Sequence, residues 1–433
     1  MADISDFRKT APTVTDFPWL SLSEIETVTL QNGVKLHFLD NPRQPVVRIS
    51  IMYPSGLVES PDRYALSLLP ETIRESSADM TGAEFSELLD YYGAWLTSGV
   101  SAHHFMLTLH ALTESFDNVF SAVMNAIATP VFKEDEVDAI TRRKSASARV
   151  NRDKVATIAR QSLNRMLFGE GHPAVDEPDD PEKILNVTPE RIRREWQQEV
   201  QNNRPQVFIA GNVSHVRHMI EEIFSNDIYS SEPSRPITIT PYGGSEERNE
   251  SFTEKAGSLQ SAVYMAIPTI SRKHPDYIDL RLATIALGGY FGSRLNSVIR
   301  EEKGLTYGIT ASLYGIPEGA HLQIQSQTDN AFVSELIKGT ESEINRLKTE
   351  PLTPDELAAL KRNAMSGLAA TLDTPFNIMD LRINEITVGT PPDYFYKQQE
   401  AIGRLTAEKI MEMARKYFDT DKLLISVAGE QSN

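Results

Sequence analysis

The 433-residue chain contains no cysteine, and that absence alone removes disulfides, thiolate nucleophiles and every cysteine-ligated zinc site. It also lacks any apolar run near the roughly 18 residues needed to cross a bilayer, the stretch around Ile267-Pro268 being far shorter. Basic charge is scarce. Its 43 Lys and Arg face 60 Asp and Glu, for a formal net charge of -17. Nucleic acid and anionic membranes both require a basic face, so neither is an expected partner. The first 30 residues carry Asp3 and Asp6 early and no apolar h-region, which is not the pattern of a secretory signal. A cytoplasmic location is expected, or a periplasmic one if a signal was removed.

Forty per cent apolar and 24% charged residues is ordinary globular composition, and the length suggests two or three domains. A long internal repeat organises them. Pro54 ends the strand-like run Val47-Arg48-Ile49-Ser50-Ile51-Met52-Tyr53, and Pro268 follows Ala262-Val263-Tyr264-Met265-Ala266-Ile267, 214 positions later. Pro61-Asp62 and Pro275-Asp276 repeat that offset. Phe132, Asp135-Glu136, Ala139 and Arg142 match Leu352, Asp355-Glu356, Ala359 and Arg362 at 220. Thr188, Glu190, Ile192 and Ala210-Gly211 match Thr406, Glu408, Ile410 and Ala428-Gly429 at 218. Four anchors in one order point to a duplicated fold. Residues 103–109 alternate like a strand, whereas 115–127 carry apolar residues at helical spacing. The expected class is α+β: two tandem α/β-sandwich domains, each an antiparallel-rich sheet with helices on one face, arranged as a clam shell. The expected boundaries are an arm at 1–21, a first domain at 22–228, a linker at 229–247 and a second domain at 248–433.

The second half holds the segment richest in chemistry. Leu287-Gly288-Gly289-Tyr290-Phe291-Gly292-Ser293-Arg294-Leu295 is followed by Ile299-Arg300-Glu301-Glu302-Lys303-Gly304-Leu305-Thr306-Tyr307-Gly308. The glycines fit neither a dinucleotide fingerprint nor a phosphate loop, because the spacing and the Gly-Lys-Ser/Thr are absent. They suit a helix end or a close backbone approach, and Gly304 reads as a helix stop before a strand carrying Tyr307. Taken alone, Arg300 equally suits a solvated cation beside Glu301 and Glu302. Tyr307, sharing parity with Leu305, Ile309 and Ala311, equally suits a core tyrosine. At an offset of 211 the first half presents Leu89 and Leu96 at the places of Arg300 and Tyr307, so the fold itself does not demand the polar pair.

This glycine-rich, Ser-Arg-Leu, Arg-x-x-x-Gly-Leu-x-Tyr order resembles the pitrilysin/insulinase family of zinc peptidases, and the likeness spans the whole chain. The resemblance implies that Arg300 and Tyr307, with Gly288, Gly289 and Gly292, bind the backbone of a peptide substrate. It also implies an inverted His-x-x-Glu-His helix in the first half, since histidines four apart on a helix can share one metal. That motif is missing. None of the nine histidines has a glutamate neighbour, and none lies between residues 38 and 102. In the aligned helix, residues 64–71, the ligand, base and ligand positions fall on Leu66, Leu69 and Pro70. Other histidine sets fare no better. His104 and His110 would stand roughly 20 Å apart along one strand. His215 and His218 share a helix face with Glu221 or Glu222, an arrangement common on exposed helices.

The implied role is a non-catalytic, substrate-binding subunit of a heteromeric zinc metallopeptidase. This chain then has no metal of its own, and the zinc sits in a homologous partner subunit. A homodimer is the alternative partnership; a structural or binding protein of the same family with no peptidase role is the alternative function, and a hydrolase with an unconventional site is a weaker third. Purified alone, the chain is expected to carry no stoichiometric zinc and to hydrolyse no peptide. One tightly bound zinc per chain, with chelator-sensitive peptidase activity, would overturn that expectation.

Overall fold

The computed structural model describes residues 18–431 apart from 176, 227, 228, 230–236 and 246. Most of the arm expected at 1–21 and much of the linker expected at 229–247 lie outside the described residues. The first half runs β1 (Glu26–Thr29), β2 (Lys35–Asp40), β3 (Val46–Tyr53), α1 (Arg63–Thr72), α2 (Gly82–Tyr91), β4 (Trp95–Val100), β5 (Phe105–Leu112), α3 (Phe116–Ala128), α4 (Glu134–Arg152), α5 (Val155–Phe168), α6 (Pro181–Leu185), α7 (Pro189–Trp196), β6 (Gln206–Gly211) and α8 (Arg217–Phe224). The second runs β7 (Asn249–Glu254), β8 (Gln260–Thr269), α9 (Tyr277–Thr284), β9 (Ile309–Ile316), β10 (Gly319–Asp329), α10 (Val333–Thr349), α11 (Pro354–Ala370), α12 (Pro375–Val388), α13 (Tyr394–Arg404), α14 (Ala407–Tyr417) and β11 (Leu424–Gly429).

The protein is α+β, with two sheets of one topology. The strand orders are β1-β2-β6-β3-β5-β4 and β7-β11-β8-β10-β9, so the second repeats the first without its β1 edge. In each sheet one pair is parallel, β2 with β6 and β7 with β11, and the other pairs are antiparallel. The sequence offsets recur as element starts. Strands β3 and β8 begin at 46 and 260, 214 apart; α4 and α11 at 134 and 354, 220 apart; β6 and β11 at 206 and 424, 218 apart. Local chemistry sets those starts. Thr188, Thr353 and Thr374 each accept a hydrogen bond from the first turn of the helix they cap, and each is followed by a proline whose missing N–H costs nothing there.

Helices α1, α2 and α3 pack with one face of the first sheet around Leu36, Val47, Ile49, Ile51, Leu107 and Phe120. The opposite faces reveal an arrangement the sequence does not announce. Each is covered by a helix from the other half. Helix α12 seats Ile378 and Met379 on Leu39, Met52, Phe208 and Ala210 of the first sheet. Helix α5 seats Leu163 and Leu167 against Ala266 and Leu424 of the second, and Ala159 against Ala262 and Ala428. The two exchanged helices are counterparts, starting at 155 and 375, 220 apart. Central strands are therefore covered on both faces, which is why β3 is buried along nearly its whole length. Arg48, on the covered face of β3, reaches α12. Its Nη1 and Nη2 donate to the Asp380 carboxylate at 3.0 and 2.5 Å, and Nη2 also donates to the Phe376 carbonyl at 2.9 Å.

A buried ion triad joins the halves at their hairpin ends. His103 lies in the β4–β5 loop, since the strand expected to include it begins only at Phe105. Its ring bonds Glu59 through Nδ1 at 2.8 Å and Glu318, in the β9–β10 turn, through Nε2, with all three side chains about 5% exposed. Burial opposes charge on the imidazole, but the hydrogen bonds and charges of Glu318 and Glu59 outweigh it and push its pKa up to about 9. A group raised in this way contributes fully below the unfolded value of about 6.5 and loses its contribution as pH rises through the folded value. Removing one partner leaves buried charge uncompensated, so His103→Gln is expected to lower stability by about 3 kcal/mol at pH 7. The gap to wild type should close by pH 10. Denaturant unfolding at both pH values checks this, and a gap undiminished at pH 10 would refute the triad's protonated state.

Candidate functional site

The glycine-rich segment follows α9. The helix ends in a widened turn, Ile285–Gly289, after which Tyr290 is extended. A Cβ on Gly288 would lie 2.7 Å from the Ala311 Cβ and 2.8 Å from its backbone nitrogen, so only glycine permits this approach of helix to β9. Gly289 is exposed and the nearest atoms to its added Cβ would be those of the Ile285 side chain, at 3.1 Å or more; that of Gly292 would touch the Tyr290 ring at 3.0 Å. Next, Ser293, Arg294 and Leu295 are all buried. Arg294 bonds Glu356 through Nε at 3.2 Å and the carbonyls of Glu350 and Pro351, which ties the segment to the N-terminus of α11. Asn296 donates from Nδ2 to the carbonyls of Tyr290 and Ile309 at 3.2 and 3.1 Å, clamping the segment to the start of β9.

Arg300 sits on the following turn, Asn296–Glu302, with its guanidinium 4.7 Å from the centre of the exposed Phe291 ring. Ile299, beside it, is fully buried and anchors that turn. Gly304 then adopts a left-handed φ of +63°, ending the helical stretch as its position in the sequence suggests. Residues 305–308 do not continue β9 but form a pinned loop. Leu305 is buried, and Thr328 Oγ1 donates to its carbonyl at 2.6 Å. Thr306 Oγ1 donates to the Gln327 carbonyl at 2.6 Å and accepts from the Gly308 N–H at 3.1 Å.

Tyr307 projects from this rigid loop with 92% of its surface exposed. That removes the core-tyrosine reading. It borders a groove of ≈ 370 Å³ on the face of the second sheet opposite its main core, with Tyr264, Gln260, Gln325, Gln327 and Thr310. Arg300 does not line this groove. The groove offers amides and hydroxyls but no carboxylate, imidazole or thiol, so it can bind polar backbone and has no acid, base or nucleophile couple for cleavage. Burial raises the pKa of Tyr264 and keeps it a neutral hydrogen-bonding group.

Strand register corrects the comparison of the halves. Ile49 and Val263 are equivalent, because they face Ile209 and Val427 on the corresponding strands β6 and β11. Following the pairs outward, Ile49 faces Leu109 and Leu109 faces Leu96, while Val263 faces Ser326 and Ser326 faces Ile309. Leu96 therefore corresponds to Ile309, and Ala94 stands where Tyr307 does. The expected Leu96–Tyr307 match was two residues out, since the loops differ in length. The first half still has no polar counterpart of Tyr307.

In the first half, α1 carries Leu66 and Leu69 with no exposure, and Pro70 is buried, its carbonyl accepting from Ser98 Oγ at 2.6 Å. These side chains do not fit a zinc ion. His215 and His218 are both exposed, and among the described residues no three His, Cys, Asp or Glu side chains are grouped to hold a metal.

Residues 186–364, which include both Arg300 and Tyr307, match the family model described as "Peptidase M16 inactive domain". The chain is 21% identical to the "Uncharacterized zinc protease YmxG" of Bacillus subtilis, over 93% of this chain and 98% of that one. It is 18% identical to the "Non-peptidase homolog YmxG" of Helicobacter pylori, over 84% of each. The crystal structure of a peptidase M16 inactive domain from Pseudomonas fluorescens superposes with a TM-score of 0.81 at 20% identity, over 95% of this chain and 100% of that one. The chain is similar to the inactive homologues of the pitrilysin family. It is a homologue without the zinc motif, and α1, the helix that would carry zinc in a complete pitrilysin-type enzyme, has become ordinary core.

The close approach at Gly288 separates packing from binding in this pitrilysin homologue. Gly288→Ala is expected to lower stability by about 1–3 kcal/mol through overpacking against Ala311, whereas Gly289→Ala should change it far less. Thermal unfolding of the two variants checks this; equal melting temperatures would show that β9 yields freely.

Proposed function

We propose that this chain is the non-catalytic, substrate-binding subunit of a heteromeric zinc peptidase acting on peptides. The zinc belongs on a homologous partner that carries the inverted motif. The observation behind the reading is Tyr307, an almost fully exposed aromatic on a loop held by four buried or backbone hydrogen bonds. A fold gains nothing by presenting this aromatic to water, but a hydroxyl donor carried on a pinned loop suits a developing oxyanion. The adjoining amide-lined groove suits an extended peptide, whose backbone has donors and acceptors at every residue. Arg300, resting on Phe291, adds a guanidinium able to bond a carbonyl once charge develops there. Two copies of this chain would bring no zinc ligands, so cleavage needs a different partner. The second reading, a binding or structural protein with no peptidase role, is favoured by the description of the Helicobacter pylori relative as a non-peptidase homologue.

Reconstitution with a zinc-motif homologue decides between them. Removing a donor aimed at a developing oxyanion lowers turnover roughly 100- to 1000-fold. Tyr307→Phe and Arg300→Ala are each expected to approach that loss while assembly and melting temperature stay unchanged. Near-normal turnover in both variants, or no zinc-bearing homologue that assembles with the chain, would overturn the peptidase-subunit reading.

A further inference from the structure

A second cavity, of ≈ 480 Å³, lies among α9, α11, α12 and α13, away from the Tyr307 groove. The two sit on opposite faces of β9: Leu313 reaches this cavity, whereas Thr310 lines the groove. Its floor is apolar, with Leu282, Leu368 and Phe395 all buried. Its rim is cationic. Arg272 and Arg281 both line it, in a chain whose acidic residues outnumber basic ones by 60 to 43.

Among the described residues neither arginine meets a carboxylate. Arg272 donates from Nη1 to the Asn384 side-chain carbonyl at 3.1 Å, lies beside the Tyr277 ring and hydroxyl, and has a buried Nε without a geometrically formed hydrogen bond among the described residues. Arg281 donates from Nη1 to the Gln398 side-chain carbonyl. Elsewhere Arg48, Arg191 and Arg217 each find a carboxylate. The one acid on the cavity wall, Glu385, is bonded to Arg382 at 3.1 Å, and burial raises its pKa, so it leaves the two guanidinia uncompensated. Guanidinia held by neutral amides keep donors free, and a carboxylate accepts two of them at once. The volume falls within the range of small-molecule sites.

We propose that this cavity binds a small monocarboxylate with an apolar tail, its head on Arg272 and Arg281 and its tail against Leu282, Leu368 and Phe395. Helix α12 supplies one wall through Leu381 and Asn384, and the same helix seats Ile378 and Met379 on the first sheet. An occupant therefore braces the helix that joins the halves. The site needs no partner subunit, so its test is independent of the peptidase reading.

Octanoate, below its micellar concentration, is titrated calorimetrically into the purified chain, with inorganic phosphate and octanamide as comparators. One saturable octanoate site per chain is expected, with the comparators bound about tenfold more weakly or worse. Bound octanoate should also raise the melting temperature. Arg281→Gln, at an accessible position, and Arg272→Gln should each weaken octanoate about tenfold, while the ligand-free melting temperature of Arg281→Gln stays at the wild-type value. Absence of saturable octanoate binding, or wild-type affinity in Arg281→Gln, would overturn the proposal. So would phosphate or octanamide matching octanoate.

Discussion

The exchange of α5 and α12 between the halves is the interaction on which the rest of the architecture depends. A sheet covered on one face alone would alternate apolar and polar residues along every strand. Here the inner faces of both sheets bury side chains beneath a helix from the other half, so the central strands must be apolar, or pair their charges, on both sides. Arg48 shows the second solution: it is buried on β3 and neutralised by Asp380 of the visiting helix. The equivalent position on β8 is Ala262, which packs on Ala159. One interface uses a charged clasp and its counterpart uses small-residue contact, although the fold is the same. Deleting a buried side chain such as Met379 typically costs 2–5 kcal/mol, and in this protein that loss would loosen the joint between the halves as well as a core.

Coverage by the exchanged helices also decides where polar chemistry can sit. On the second sheet the contacts of α5 lie mainly on the central strands β8 and β11, leaving Thr310 of β9 and Gln325 and Gln327 of β10 outside that cover. All three line the groove beside Tyr307. The groove is thus a consequence of topology: it opens where the visiting helix stops. The triad of His103, Glu59 and Glu318 closes the far ends of the same edge hairpins, so the edges that carry the groove are also tied across the halves.

Much of this was legible in the sequence because it is written locally. Proline and threonine mark helix starts, so anchors such as Thr188-Pro189 gave offsets that recur as element boundaries. The absence of the inverted zinc motif was equally local, since no slip of register supplies a histidine to α1. The exchanged helices were not legible, because an amphipathic pattern says that a helix face is buried and not which sheet buries it. The register of the edge strands failed for a related reason. The hairpin between β4 and β5 spans four residues and that between β9 and β10 only two, and such differences are invisible until strands are paired. The same gap hid the loop at 305–308, whose alternating residues read as strand although Thr306 and Thr328 bond it into a turn.

The two halves have diverged in opposite senses at their chemical positions, and the physical cost of each change differs. At α1, leucines fill the places where ligands would stand, and a buried leucine stabilises where an unfilled metal site would leave buried polar groups unpaired. Drift toward an apolar core is therefore favoured by stability once the metal is not needed. Tyr307 is the reverse case. Nothing in the packing of the second half requires an exposed phenol, and Ala94 serves at the corresponding place in the first. Stability offers no reason for that loop to present the side chain to solvent. Core packing accounts for α1 in the first half, whereas packing gives no account of the exposed Tyr307 in the second.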